Sequence, residues 1–239
     1  MTDGWDASAA AWIADMGEHG DFGRRYVLDP VMMERVRGAR AKSALDVGCG
    51  EGRFCRMLAA HGVAVTGIDP TAALIAEARR RDPVGTYVEG SGENLPFDDG
   101  AFDLVVSCLS LVDIPDAAAA IGEMARVMAP GGRLLIANSN GFNTAGDGEG
   151  LGWARDANCG RAHFRIDHYL RERSQWIEWR GIRVLNYHRP LSFYMQLLLQ
   201  QRLRLDYFDE PAPIAGAPAE RAQSYVRAPW FLVMEWQKD

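Results

Sequence analysis

From position 44 the chain reads Ala44-Leu45-Asp46-Val47-Gly48-Cys49-Gly50-Glu51-Gly52, a short apolar run that ends in three alternating glycines. Such a run forms a buried strand. Glycine beyond it lets the backbone take positive φ and approach a ligand closely where a helix begins, so a nucleotide-like ligand is implied. Asp69 closes the next apolar run, where a carboxylate can accept both hydroxyls of a ribose. A dinucleotide fingerprint, GxGxxG, starting at Gly48 would need glycine at position 53; Arg53 stands there, and the spacing is GxGxG. Histidines are the side chains suited to moving a proton near neutral pH. His163, His168 and His188 follow this region, His19 lies beside the N-terminal segment, and His61 falls at an expected helix end where it suits capping. Each of the first four has a plain alternative role in satisfying local backbone groups. Cys49 and Cys108 have no base or cation beside them to activate a thiol, and their side chains read as buried filler.

These residues need a scaffold, and the pattern around them supplies one. Short apolar runs at 43–47, 63–68, 86–88, 102–107 and 133–138 alternate with helical stretches at 52–61, 71–81 and 116–128. Strands apolar on both faces, joined through helices, imply a parallel sheet covered on both sides: a doubly wound α/β core. Ahead of it stand an amphipathic helix carrying Trp5, Ala9, Trp12, Ile13 and Met16, and a second helix after Asp29-Pro30. Over 139–179 the alternation lapses into a long segment rich in Gly, Asp, Arg and aromatics, as lids and binding loops often are. A hairpin over 175–179 and 182–187, a helix at 191–202, a strand at 203–208, a Pro/Ala-rich connection at 210–229 and a last strand at 230–236 complete the chain.

The glycine-rich stretch with its leading Asp46 resembles the first motif of the class I S-adenosylmethionine-dependent methyltransferases, and the resemblance continues in order. Ile68-Asp69-Pro70 resembles the second acidic motif. Gly90-Ser91-Gly92-Glu93-Asn94-Leu95-Pro96-Phe97 with Phe102-Asp103-Leu104-Val105 resembles the third and fourth. Glu123 to Gly132, followed by Arg133-Leu134-Leu135-Ile136, resembles the helix and turn entering the fifth strand. The match covers about 43–138, and it implies a Rossmann-like fold: a doubly wound seven-stranded sheet, mostly parallel, with an antiparallel last strand. As one domain, the chain would divide into an N-terminal helical lid (1–40), a cofactor-binding core (41–138), a substrate-side insertion (139–190) and a C-terminal helix and strand pair (191–239). By resemblance, S-adenosyl-L-methionine would be held by Tyr26, Arg25, Asp46, Gly48, Cys49, Gly50, Asp69, Pro70, Ser91, Gly92, Glu93 and Ser107, with Arg24 equally eligible beside Arg25. Ser91 replaces the family's usual Asp for the adenine amino group. The substrate would meet Trp12, Arg189 and Tyr194, with His163, His168 and His188 as candidates for a general base; helix entry is the alternative reading of the segment around Arg189-Pro190. Trp153, Phe164, Tyr169, Trp176 and Trp179 would line a pocket or form a small core under the long segment.

The reaction implied is an in-line displacement in which a substrate oxygen or nitrogen attacks the sulfonium methyl and the protein supplies orientation and dryness. Ser107-Cys108-Leu109-Ser110 lacks the Pro-Pro-aromatic signature of base and glutamine N-methyltransferases, which lowers the weight of macromolecular amino groups. Other chemistry with the same cofactor, a non-catalytic cofactor-binding module, or a dinucleotide oxidoreductase are the alternatives. Composition narrows the partners. The 239 residues carry 26 Lys and Arg against 32 Asp and Glu, net −6, so there is no chain-wide basic surface for nucleic acid. The longest apolar run stops at Asp113, far short of the roughly 20 residues of a membrane helix. Four cysteines, Cys49, Cys55, Cys108 and Cys159, without a CxxC pair suit a reducing compartment, and no metal is expected. The expectation is a cytoplasmic monomer or homodimer acting on a small molecule.

Overall fold

The structure is a computed structural model describing residues 3–157 and 160–239; Cys159 lies outside the described residues. Its centre is a seven-stranded sheet. In chain order the sheet strands are β1 (Ser43–Val47), β2 (Ala64–Asp69), β3 (Thr86–Glu89), β4 (Phe102–Cys108), β5 (Met128–Ser139), β10 (Arg204–Asp209) and β11 (Phe231–Gln237). They lie side by side as β3-β2-β1-β4-β5-β11-β10. The first five run parallel, and β11 enters antiparallel between β5 and β10. The order reverses at β1, which pairs with β2 on one side and β4 on the other; ligands bind at such switch points, beyond the strands' C-terminal ends.

The sheet is apolar on both faces because successive side chains point to opposite sides. Along β5, Leu134 and Ile136 join one core with Ile121, Met124, Tyr194 and Trp236, while Leu135 and Ala137 join the other with Met32, Val36 and Leu58. Helices α3 (Arg53–Ala59), α4 (Ala72–Arg81) and α5 (Ala117–Val127) connect the parallel strands. Asp116 caps α5 by accepting from the Ala119 amide at 2.9 Å, and the helix then buries Ala117, Ala120, Ile121 and Met124. At Arg53, where a dinucleotide fingerprint would have glycine, the guanidinium makes a two-pronged ion pair with Asp29 at 2.7 and 2.8 Å. That pair fastens α3 to α2 (Asp29–Ala39).

At the N-terminus α1 (Trp5–Met16) is followed by a π-helical turn, Arg24–Leu28, that runs into α2. Helix α1 lies against a hairpin formed by β8 (Arg173–Trp179) and β9 (Ile182–His188), the hairpin expected from sequence. The Arg183 amide donates to Ser8 Oγ at 2.9 Å, Ser8 Oγ donates to the Arg183 carbonyl at 3.1 Å, and the Leu185 amide donates to the Asp3 carbonyl at 2.8 Å. Arg180 closes the far end on Asp15 at 2.6 Å.

Two expectations need correction. The segment after β5 is not without structure: it holds the single helical turn α6 (Gly141–Thr144) and a second hairpin of β6 (Gly152–Arg155) and β7 (Arg161–Arg165). Strands of four and five residues are too short for their alternation to stand out, and here Trp153–Phe164 edge contact at 5.3 Å supplies the packing. The connection at 210–229 contains α8 (Ala219–Arg227) after α7 (Leu191–Gln200). Pro211, Pro213 and Pro218 precede the helix, with Pro218 at the N-cap position, and Pro229 follows it, so none interrupts it.

Candidate functional site

At the switch point a cavity of about 470 Å³ opens beyond β1, β2 and β4. The turn after β1 forms its floor. Gly48 and Cys49 donate their amides to the Ile68 carbonyl at 2.8 and 3.0 Å, folding the turn back onto β2. Gly48 sits at φ +77°, and a Cβ there would come within 2.3 Å of the Ser110 Cβ. Gly50, at φ +56°, has only open space above it: a Cβ would find nothing nearer than Trp12 Nε1 at 3.8 Å. The first glycine is needed for close packing and the second leaves room for a ligand over the loop.

Asp69 stands beside this loop at the end of β2. One carboxylate oxygen accepts from the Gly50 amide at 2.9 Å and the other from the Thr71 amide at 2.9 Å. Burial pushes its pKa up, opposed by those two backbone bonds. The carboxylate is thus aimed, with lone pairs left for a ligand. Pro70, Thr71 and Leu74 continue the wall, and Ser91, Gly92 and Glu93 face them across it. Ser91 Oγ donates to Glu93 at 2.9 Å, and the other Glu93 oxygen accepts from the Asp116 amide at 2.7 Å.

Other residues assigned to the cofactor from sequence stand elsewhere. Asp46 is buried behind the loop: one oxygen accepts from Cys55 Sγ at 3.3 Å and the other has no partner among the described residues. Burial pushes its pKa up to about 7. It borders, together with Cys49, a side pocket of about 50 Å³ instead of the main cavity. The Cys49 sulfur packs beside Cys55 over Gly67, since a strand glycine there leaves the space. Ser107 is fully buried and shares a hydrogen bond of 2.7 Å with Ser110 Oγ; Ser110, which also donates to the Val47 carbonyl at 2.7 Å, is the serine that reaches the cavity. On the π-helical turn Arg24 faces inward, lying 4.7 Å over the Trp12 ring, while Arg25 is exposed and lies over Tyr26. Tyr26 packs on Phe22 and its carbonyl accepts from Ile214. The extra residue per turn of a π-helix displaces which neighbour points in, a shift that an α-helical reading does not anticipate.

Trp12 does line the cavity, with its indole N–H donating to Glu51 at 3.2 Å. The three histidines do not. His163 on β7 and His168, in an exposed turn at φ +50°, are solvent-facing, and His168 lies 3.6 Å from Asp167. His188 is fully buried, with Nδ1 hydrogen-bonded to Thr144 Oγ1 at 2.7 Å and Nε2 to the Tyr169 carbonyl at 2.9 Å. Burial pushes its pKa down, and both ring nitrogens are spent on structure. Arg189 is buried too. Its guanidinium donates to the carbonyls of Leu111, Ile114 and Pro115 at 3.0, 2.8 and 2.6 Å. Tyr194 packs into the core with Phe193 and Leu198. Of the aromatics in the insertion, Trp179 alone borders the cavity among the described residues.

The acceptor side is built by Trp179, which the sequence reading offered as a pocket residue, and otherwise by residues that it did not assign to the site. Asp3, Trp5 and Asp21 come from the N-terminal segment, Val112, Asp113 and Ile114 from the turn after β4, and Trp179 and Asn186 from the β8–β9 hairpin. Asp113 accepts a hydrogen bond from the Asn186 side-chain amide. One signal was present: Asp113 is the charged residue that ends the longest apolar run, in the turn beyond a central strand.

Residues 45–136 match the family model described as a methyltransferase domain. Over 115 residues the chain is 39% identical to a demethylmenaquinone methyltransferase of Beutenbergia cavernae, covering 48% of this chain and 45% of that protein. Over 119 residues it is 34% identical to a malonyl-[acyl-carrier protein] O-methyltransferase of Enterobacter lignolyticus, covering 50% and 47%. The matched region thus spans about half the length of these curated relatives. Among solved structures, an S-adenosylmethionine-dependent methyltransferase from Mesorhizobium loti superposes with a TM-score of 0.74 at 26% identity, covering 86% of this chain and 96% of that one. Another from Listeria monocytogenes gives 0.76 at 26%, covering 87% and 96%. The fold and the family match are those of a class I, Rossmann-like S-adenosylmethionine-dependent methyltransferase domain. The cofactor named for those two solved structures is S-adenosyl-L-methionine. The open space over Gly50 and the aimed carboxylate of Asp69 fit that cofactor.

Proposed function

We propose that the protein transfers the methyl group of S-adenosyl-L-methionine to an oxygen or nitrogen of a small molecule. The observation that carries this is one cavity lined both by Asp69 and the Gly48–Gly50 loop and by Trp5, Trp179, Asp113 and Asn186. Cofactor and acceptor share one chamber, of a size usual for small-molecule sites. When bound, the cofactor supplies an electrophilic methyl on a positively charged sulfur. Asp69 would hold the ribose hydroxyls, Pro70 and Leu74 would pack on the adenine, Ser91 and Glu93 would meet its polar edge, and Arg24 would pair with the methionine carboxylate. The indoles of Trp5, Trp12 and Trp179 would exclude water and hold a partly apolar acceptor in line. No helix of the described residues is long and apolar enough to cross a membrane, and the net charge of −6 does not favour nucleic acid.

Calorimetric titration with S-adenosylmethionine, S-adenosylhomocysteine and NADH tests the reading. Both sulfur nucleotides should bind and NADH should not, and Asp69→Ala should abolish binding, with Asp69→Asn weakening it in a protein that keeps its fold. Binding of NADH in place of the sulfur nucleotides would refute it.

A further inference from the structure

The acceptor end of the cavity has a charge balance that the cofactor leaves unexplained. Arg24 is the one basic side chain among the described residues lining the cavity, against Asp3, Asp21, Asp69, Glu93 and Asp113. Asp21 is paired with Arg24 at 3.2 Å. Asp69 and Glu93 stand at the cofactor end, committed to Gly50 and Thr71 and to Ser91 and Asp116. Asp3, one oxygen of which accepts from the Trp5 amide at 3.1 Å, and Asp113 remain.

Asp113 is the more constrained of the two. Its carboxylate is half-buried in the cavity wall, one oxygen accepts from Asn186 Nδ2, and the other has no hydrogen-bond partner among the described residues. Its own amide is fixed on the Ser110 carbonyl at 2.9 Å, and the carbonyls of Leu111, Ile114 and Pro115 around it are gripped by Arg189. The groups that face it are Asp3 from the N-terminal segment, Asp69 from β2, Arg24 from the π-helical turn and Asn186 from β9. Burial pushes its pKa well above the usual carboxylate range; Asp3 and Asp69 push the same way, against Arg24 and the Asn186 hydrogen bond. A carboxylate held rigidly, half hydrogen-bonded and beside like charges is relieved by a cation brought in from outside. With Arg24 given to the methionine carboxylate, no other basic side chain of the described residues lining the cavity would neutralise an anionic acceptor, and the indoles of Trp5 and Trp179 in the same lining suit a cation.

We propose that the acceptor is a basic amine, bound as its ammonium ion by the free oxygen of Asp113, with Asn186 positioning the carboxylate and Asp3 adding to the negative potential. The proposal rests on the methyltransferase reading above and selects nitrogen over oxygen. One N–H proton passes from the ammonium to Asp113, so that cation and anion become neutral amine and carboxylic acid. The nitrogen lone pair freed in this way is the nucleophile. The step is feasible here because burial narrows the gap in proton affinity between a carboxylate and an amine. An anionic acceptor would meet Asp3 and Asp113 as like charges.

The test is a pair of binding probes of similar size and opposite charge, phenethylamine and phenylacetate, titrated into the intact chain at neutral pH with and without saturating S-adenosylhomocysteine. Phenethylamine should bind about tenfold tighter than phenylacetate or better, as one charged hydrogen bond allows. Asp113→Asn should erase that preference, and Asp113→Glu should retain part of it. Equal response to the two probes, including no response to either, or a preference that survives Asp113→Asn, overturns the proposal. S-adenosylhomocysteine that fails to bind while the amine preference persists sinks the methyltransferase reading instead, so the two failures are distinguishable.

Discussion

Replacing Arg189 with Met decides between a substrate-facing arginine and the role that the structure gives it. The guanidinium is buried and donates to three backbone carbonyls, Leu111, Ile114 and Pro115, at 3.0, 2.8 and 2.6 Å, with its face over Tyr187 at 4.7 Å. Hydrogen bonds from a charged donor contribute about 1.5–3 kcal/mol each, but three that share one side chain are not additive, so Arg189→Met should destabilise by about 3–5 kcal/mol. For a chain of this size, each kcal/mol lowers the midpoint of thermal unfolding by about 2–4 °C, which predicts a fall of about 6–20 °C by circular dichroism. Arg189→Lys keeps the charge and can reach one carbonyl at a time, so it should fall by less. Both variants loosen the turn that carries Asp113, so selection between charged probes should weaken with stability. A midpoint shift of less than about 2 °C for Arg189→Met would refute the reasoning and return Arg189 to the substrate.

Gly48→Ala places a Cβ within 2.3 Å of Ser110 at a positive φ, so binding of S-adenosylhomocysteine should weaken by about tenfold or more, read by calorimetry. Unchanged affinity would mean that the loop is not the cradle. Asp46 keeps its proton in the folded chain up to about pH 7, whereas its unfolded value is 3.8. Between those values the folded state binds more protons than the unfolded state, so its contribution to stability falls as pH rises through that window. Asp46→Asn should therefore gain stability relative to wild type from about pH 4 to 7 and hold the gain above it, measured by chemical denaturation. A difference independent of pH counts against the buried carboxyl. His188→Phe leaves the Thr144 hydroxyl and Tyr169 carbonyl without their partner and should lose about 1–3 kcal/mol while S-adenosylhomocysteine binds as before. Full stability with altered binding would restore His188 to the site.

The cofactor half of the site was legible because its requirements are local. A buried strand, a turn needing positive φ at Gly48 and Gly50, and a carboxylate at the next strand end leave a fixed spacing, and the parallel strands are continuous apolar runs. The acceptor half was not legible because its residues are brought together by tertiary contacts with no local pattern: Asp3 and Asn186 meet only once β9 lies against the N-terminal segment. Histidine was a poor guide for a physical reason. Two ring nitrogens in a buried place need two partners, and Thr144 and Tyr169 supplied them before any substrate could. Arg24 and Arg25 differ only in helical phase, and a π-helical turn sets that phase where an α-helical one is assumed. Cys49 and Ser107 belong to the right motifs, but their side chains point away from the cavity, which backbone pattern alone does not decide.

The bonds between Ser8 and Arg183 and between Asp3 and Leu185 make α1 and the β8–β9 hairpin a single roof over both ends of the cavity. Trp12 hangs from it above the glycine loop, Asn186 reaches Asp113 from it, and Trp179 on the same hairpin lines the cavity. Whatever lifts one part lifts the other, so on the function proposed above cofactor and acceptor would share a door. Closing it over the first ligand spends the ordering free energy that the second would otherwise have to meet. The affinities of cofactor and acceptor are then linked, and linkage is reciprocal: the factor by which an acceptor tightens the cofactor equals the factor by which the cofactor tightens the acceptor. A substitution at Ser8, touching neither ligand, would act on that shared factor.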